Sequence, residues 1–212
     1  MNWVRIPLGV LQTNAYILSN EKNECLLFDP GAEGEKIKTV LREQKLVPLA
    51  ILLTHAHFDH IGAIDEMKEE WNIPVYVHEL EQEWLGDPML NGSQSLMNAK
   101  ITARPADKTI KGEEAIAIGS FQLSILETPG HSPGSVSYYC KELKAVFSGD
   151  ALFKGSIGRT DLFGGNHDQL LKSIHEKLLA LPEDTIVLPG HGPETTIIDE
   201  METNPFLNGF SF

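Results

Sequence analysis

The chain has 212 residues, 42% of them apolar and 22% charged, enough for one well-packed domain or for one domain made of two similar halves. Its net charge of −13 repels phosphate backbones and argues against nucleic acid as a partner or substrate. No apolar run approaches the roughly twenty residues that span a bilayer, and Met1-Asn2-Trp3-Val4-Arg5-Ile6-Pro7 lacks the charged start and apolar stretch of a signal peptide, so a cytoplasmic protein without membrane association is expected.

Taken in chain order, Trp3–Val10, Asn14–Leu18 and Glu24–Phe28 read as short strands, the last closed by the turn Asp29-Pro30-Gly31. Glu33–Gln44 has helical spacing, with Ile37, Val40 and Leu41 on one face. Leu49–Leu53 is an apolar run suited to a strand buried on both faces, followed by a helix over Ile61–Trp71 and a short strand, Val75–His78. Gly86–Asp107 has glycines and prolines but no clear period, and is expected to be an irregular insertion near the site. The second half repeats the theme: strands at Ala115–Ile118, Gln122–Glu127, Ser135–Tyr139 and Ala145–Ser148, a helix at Asp168–Leu179, and a last buried strand at Thr185–Leu188. Two β-layers covered by outer helices would bury all these faces, so the expected fold class is α/β, a four-layer αβ/βα sandwich forming a single domain over residues 1–212.

The richest segment is Thr54-His55-Ala56-His57-Phe58-Asp59-His60, set between a buried strand and an amphipathic helix. Side chains at the carboxyl end of such a strand face the crevice where α/β proteins bind ligands. Imidazole and carboxylate together suit zinc, with iron and manganese as alternatives. His55 and His57 can converge on one ion if the loop leaves the strand extended, and Asp59 and His60 can turn toward a second as the helix begins. Three later segments share one grammar, an apolar strand ending in a small-residue turn with one ligand-type side chain: Pro129-Gly130-His131, Ser148-Gly149-Asp150 and Pro189-Gly190-His191.

His-x-His-x-Asp-His followed by a separated His, Asp and His resembles the metallo-β-lactamase superfamily over nearly the whole chain. The resemblance implies the αββα sandwich and two divalent metal ions. It places His55, His57 and His131 on one, Asp59, His60 and His191 on the other, and Asp150 between them. Thr13-Asn14-Ala15-Tyr16, the Pro-Gly-His-Ser-Pro-Gly-Ser turn and Ser148-Gly149-Asp150-Ala151-Leu152-Phe153 are similar to the glyoxalase II group, whose substrates are hydroxyacyl-thiol thioesters. Gly155–Asp161 is similar to its short single-domain branch and also to the persulfide dioxygenases. Two departures leave the thiol carrier open. The chain ends at Phe212, shortly after His191, without the helical domain that grips glutathione, and it has Arg159 and Asp161 where the glutathione enzymes have Lys and Tyr.

The implied chemistry is hydrolysis of a small-molecule thioester by a hydroxide bridging two metals, with Asp59 as the carboxylate that orients it. The alternatives are an iron-dependent persulfide dioxygenase, a lactone or phosphodiester hydrolase on the same fold, and a non-catalytic metal-binding module. Arg159 is a candidate for a substrate carboxylate or for an ion pair with Asp161. Tyr16, Cys25 and Cys140 are expected in the core. His78, His167 and His175 lack the turn context of the ligands and stay outside the site, with capping the expected role of His167. Oligomeric state has no signal in the sequence.

Overall fold

The computed structural model describes residues 1–208. They form two compact units, Met1–Lys111 with Ala117–Phe121, and Gly112–Ile116 with the described residues from Gln122 onward.

In the first unit, β1 (Asn2–Leu8), β2 (Thr13–Ser19) and β3 (Glu24–Phe28) are antiparallel neighbours. The sheet continues in parallel through β4 (Val47–Leu52), β5 (Val75–His78) and β6 (Lys108–Ile110). Direction changes where helical crossovers replace hairpin turns. Helix α1 (Gly34–Glu43) joins β3 to β4, and α2 (Phe58–Ile61) with α3 (Ile64–Trp71) joins β4 to β5. α1 buries Ile37 and Leu41, one turn apart, in a core with Leu27, Ile51 and Met67, while Val40 is only half-buried. Strand β4 ends on Ile51 and Leu52, both fully buried, as its unbroken apolar run requires.

The helix expected over Ile61–Trp71 differs in a way that matters. It starts three residues early and breaks after α2, because the Gly62 and Ala63 amides donate to the Gly31 and Pro30 carbonyls at 3.0 and 2.9 Å. A Cβ on Gly62 would stand 2.4 Å from the Gly31 oxygen, so this close approach requires glycine. The Asp29-Pro30-Gly31 turn is thereby pinned under the loop carrying His55 to His60. The Gly86–Asp107 stretch is largely irregular, as expected, but contains a short helix, α4 (Ser93–Met97). Asn91, fully buried, organises it: its amide donates to the Trp84 and Ile101 carbonyls at 3.0 and 2.9 Å, and its Oδ1 accepts from the Ser93 amide at 3.0 Å.

The second sheet is made of β7 (Ala115–Ile118), β8 (Phe121–Glu127), β9 (Val136–Cys140), β10 (Ala145–Gly149), β13 (Ile186–Pro189) and β14 (Thr195–Thr196), in spatial order β14-β13-β10-β9-β8-β7. Between β10 and β13 lie a small hairpin, β11 (Leu152–Phe153) with β12 (Ser156–Ile157), and helix α5 (His167–Ser173). The same grammar as in the first unit recurs, antiparallel neighbours followed by a helical crossover to a parallel strand. α5 continues as a π-helical turn over Ile174–Leu178, and Leu170, Ile174 and Leu178 are fully buried against Val146 and Val187. The cap of α5 corrects the sequence reading. Asn166, not His167, accepts the Gln169 amide at 3.0 Å, and His167 is the first, exposed residue of the helix. Helix α6 (Ile197–Thr203), which hydrophobic spacing did not reveal, starts from a Thr196 cap on the Asp199 amide. Among the described residues, no helix is long and apolar enough to cross a membrane.

Candidate metal centre

The first unit delivers His55, His57, Asp59 and His60 from one loop at the carboxyl end of β4. His57 is extended (φ −66°, ψ 151°) at the N-cap position of α2, so the loop leaves the strand straight and turns helical at Phe58, the local path that convergence of His55 and His57 on one ion would require. The rings of His55 and His57 meet edge-on at 4.9 Å, and those of His55 and His60 lie 4.0 Å apart. Three histidines are almost wholly buried, at 1%, 4% and 0% exposure, which is costly without a compensating partner.

Supports outside the loop determine which nitrogen each ring presents. Asp29, 2% exposed, accepts the Thr54 amide on Oδ1 at 2.8 Å and the Thr54 hydroxyl on Oδ2 at 2.6 Å. With its proton committed to Asp29, the Thr54 oxygen accepts from His55 Nδ1 at 3.0 Å. His60 Nδ1 donates to Asp29 Oδ2, also at 3.0 Å. One carboxylate therefore places the protons of two imidazoles on Nδ1 and leaves the Nε2 lone pairs as ligands, the usual outer-shell arrangement around a metal. Glu81, fully buried, accepts the Ala56 amide at 2.5 Å, and the Asn91 carbonyl accepts the Phe58 amide at 3.1 Å. The Thr13 hydroxyl donates to Asp59 Oδ2 at 2.7 Å and fixes its rotamer.

The second unit delivers His131, Asp150 and His191 from turns after β8, β10 and β13. His131 Nδ1 donates to the Arg159 carbonyl at 2.7 Å, so here too Nε2 is the free-electron-pair nitrogen. Asp150 follows Gly149, whose φ of +51° turns the chain sharply at the strand end, and the Gly149 carbonyl accepts the Gly190 amide beside His191 at 2.8 Å. Asp150 Oδ2 lies 3.6 Å from His131 Nε2 and 3.4 Å from His191 Nε2. In the first unit His60 Nε2 is 3.6 Å from Asp59 Oδ2. These separations exceed hydrogen bonds of about 2.7–3.2 Å. They approach the roughly 3.3 Å edge between two donors bonded at about 2.0–2.1 Å to one tetrahedral ion. The donors thus fit divalent metal ions, and Asp150 Oδ2 lies at such a distance from two imidazole nitrogens at once.

Arg159 holds Asp161 bidentately, at 2.7 and 2.8 Å, and keeps that exposed carboxyl down at about 2. Of the two roles expected for Arg159, the internal ion pair is the one formed, while its backbone carbonyl orients His131. Tyr16 is buried in β2. Burial pushes the Cys25 thiol up to about 12 and raises that of Cys140, leaving both unreactive. His78 caps the next turn by accepting the Leu80 amide at 3.3 Å, and His175 is exposed on the π-helical turn. The supports Asp29, Thr13 and Glu81 were not recognised as site residues from sequence. Thr13 stood in the Thr13-Asn14-Ala15-Tyr16 segment that carries the resemblance, and Asp29 at the carboxyl end of a strand, but neither position marked itself there as a support.

A family model described as the Metallo-beta-lactamase superfamily matches residues 8–191. The chain is 60% identical over 211 residues, all of both chains, to the "Probable metallo-hydrolase YqgX" of Bacillus subtilis (strain 168). It is 35% identical over 212 residues, again all of both chains, to the "Hydroxyacylglutathione hydrolase GloC" of Haemophilus influenzae. Among solved structures, the BLEG-1 B3 metallo-beta-lactamase has a TM-score of 0.97 at 56% identity, covering 98% of this chain and all of that one. TTHA1623, solved in a di-iron-bound form, has a TM-score of 0.86 at 42% identity, covering 96% of this chain and all of that one.

Proposed function

Because the chain belongs to the metallo-β-lactamase superfamily and has its fold, which makes it a metal-dependent hydrolase, we propose that it hydrolyses a hydroxyacyl-thiol thioester in the manner of glyoxalase II. We further propose that His55, His57, Asp59, His60, His131, Asp150 and His191 form one centre for two divalent ions, within a single domain. The observation that carries this is the placement of Asp150 Oδ2 at coordination-edge distance from two imidazole nitrogens, together with proton placement on Nδ1 of His55, His60 and His131. The GloC relative supports the thioester substrate. Five imidazoles and two carboxylates without a thiolate suit zinc, and equally the iron pair in the form of TTHA1623.

Two ions held there supply Lewis acidity, lowering the pKa of water toward about 7 and stabilising the charge that develops on a carbonyl oxygen. The chain's own residues do the rest. Asp59, fixed by Thr13, orients the attacking water and takes its proton. His55, His60 and His131 are locked in the tautomer that binds through Nε2. Arg159 meets a substrate carboxylate in competition with Asp161, which already holds its Nε and Nη2.

The test is thiol release from S-lactoyl thioesters by protein purified without chelator. Turnover that a chelator removes and zinc or iron restores is expected. Sulfite production from a glutathione persulfide, with no thiol release from any thioester, would replace this reading with a dioxygenase.

A further inference from the structure

A cavity of about 100 Å³ opens beside Asp59, and its walls are apolar. They come from four separate places in the first unit: Val10 and Leu11 in the β1–β2 turn, Ala32 after the Asp29-Pro30-Gly31 turn, Phe58 in the histidine loop, and Met97 with Ile101 in the Gly86–Asp107 insertion. Its polar corner is Thr13 and Asp59, already hydrogen-bonded to each other at 2.7 Å. Three of the rim side chains are left in water, Val10 at 82%, Leu11 at 45% and Met97 at 44% exposure. An isolated exposed apolar side chain means little, but several around one recess mark a binding surface. A recess this poor in polar partners holds water weakly and accepts apolar groups instead.

Asp59 belongs both to this cavity and to the histidine loop, so a group that fills the cavity lies beside the carboxylate that orients the attacking water. Resting on the thioester reading, we propose that the cavity takes the aliphatic side chain of the acyl group and selects 2-hydroxyacyl thioesters larger than lactoyl. The hydroxyl then lies at the Thr13–Asp59 corner and the hydrocarbon among Leu11, Ala32, Met97 and Ile101. Size favours short chains: an enclosed cavity of about 150 Å³ accommodates benzene, so this smaller recess suits two to four aliphatic carbons better than a ring. The single methyl of lactoyl leaves most of it unfilled.

The experiment compares S-lactoyl, S-2-hydroxybutyryl, S-2-hydroxypentanoyl and S-mandeloyl thioesters of N-acetylcysteamine on the metal-loaded enzyme. Each added methylene is expected to raise kcat/KM about fourfold as it leaves water, so the pentanoyl substrate exceeds lactoyl by roughly fifteenfold, and mandeloyl falls back. Ala32→Leu, which fills the cavity, is expected to bring the pentanoyl-to-lactoyl ratio near one, and Met97→Ser to lower it. In parallel, methyl NMR of the protein titrated with free 2-hydroxypentanoate is expected to shift the Leu11, Met97 and Ile101 signals, and lactate to leave them unmoved. Thioester turnover that is indifferent to chain length and to Ala32→Leu overturns the cavity assignment and leaves the thioesterase reading standing. Absence of all thioester turnover overturns that reading, and the methyl shifts then decide the cavity alone: none with 2-hydroxypentanoate rejects it.

Discussion

Replacing Asp59 with alanine is expected to lower kcat about 10²–10⁴-fold, the loss usual for a positioned general base. Asn is the sharper variant. It keeps an oxygen to accept the Thr13 hydroxyl and nearly the same volume, but it cannot take a proton. Asp59→Asn is therefore expected to fold and melt like the parent and still to be as slow as Asp59→Ala. Thr13→Val leaves the carboxylate in place but frees its rotamer, and an intermediate loss follows. Steady-state kinetics with the metal content of each variant decide the matter: undiminished turnover of Asp59→Asn at full metal loading removes Asp59 from the reaction.

The second large effect is expected at a residue that touches no reacting atom. Asp29 accepts three hydrogen bonds, from the Thr54 amide, the Thr54 hydroxyl and His60 Nδ1, and through Thr54 it also governs His55. Outer-shell partners of this kind are each worth about 10–100-fold in metal affinity, and Asp29→Ala is expected to weaken binding to that degree while leaving every proposed ligand in the sequence. Its backbone sharpens the comparison. Asp29 has φ +47°, a left-handed conformation that Asn and Asp tolerate and alanine resists. Asp29→Asn thus preserves the turn and one acceptor oxygen, yet its NH2 cannot accept where the second carboxylate oxygen does, so part of the Thr54 and His60 contacts is lost. A chelator competition titration is expected to rank affinities wild type, Asn, Ala. Equal affinity in all three would show that the buried carboxylate serves the fold alone. The turn itself has no slack, since a Cβ on Gly31 would lie 1.6 Å from the Asp59 carbonyl oxygen.

The contrast between these two residues explains what the sequence could and could not tell. Asp59 and its neighbours were readable because the loop concentrates unusual, ligand-type residues at a strand end, and because Pro-Gly and Ser-Gly turns flag the other proposed ligands. Asp29 stands in a turn that any loop might contain, and its importance arises only when that turn docks against Gly62 and Ala63. The same tertiary contact breaks the helix that periodicity predicts over Ile61–Trp71. Glu81 sits in the charged run Glu79-Leu80-Glu81-Gln82-Glu83, which shows nothing in sequence to set it apart, yet it is fully buried and accepts the Ala56 amide. Strands of two residues, such as β11, β12 and β14, are too short to show any period. The long strands and α1 were legible because burial on one or both faces leaves an apolar pattern that local sequence cannot disguise.

The most direct measurement is elemental analysis of the full chain purified without chelator, counting metal ions per polypeptide in the wild type and in His191→Ala. Two ions in the parent, and about one in the variant, are expected if seven side chains from both units gather around a metal pair. A parent that carries a single ion, or a His191→Ala protein that still carries two, would contradict the account.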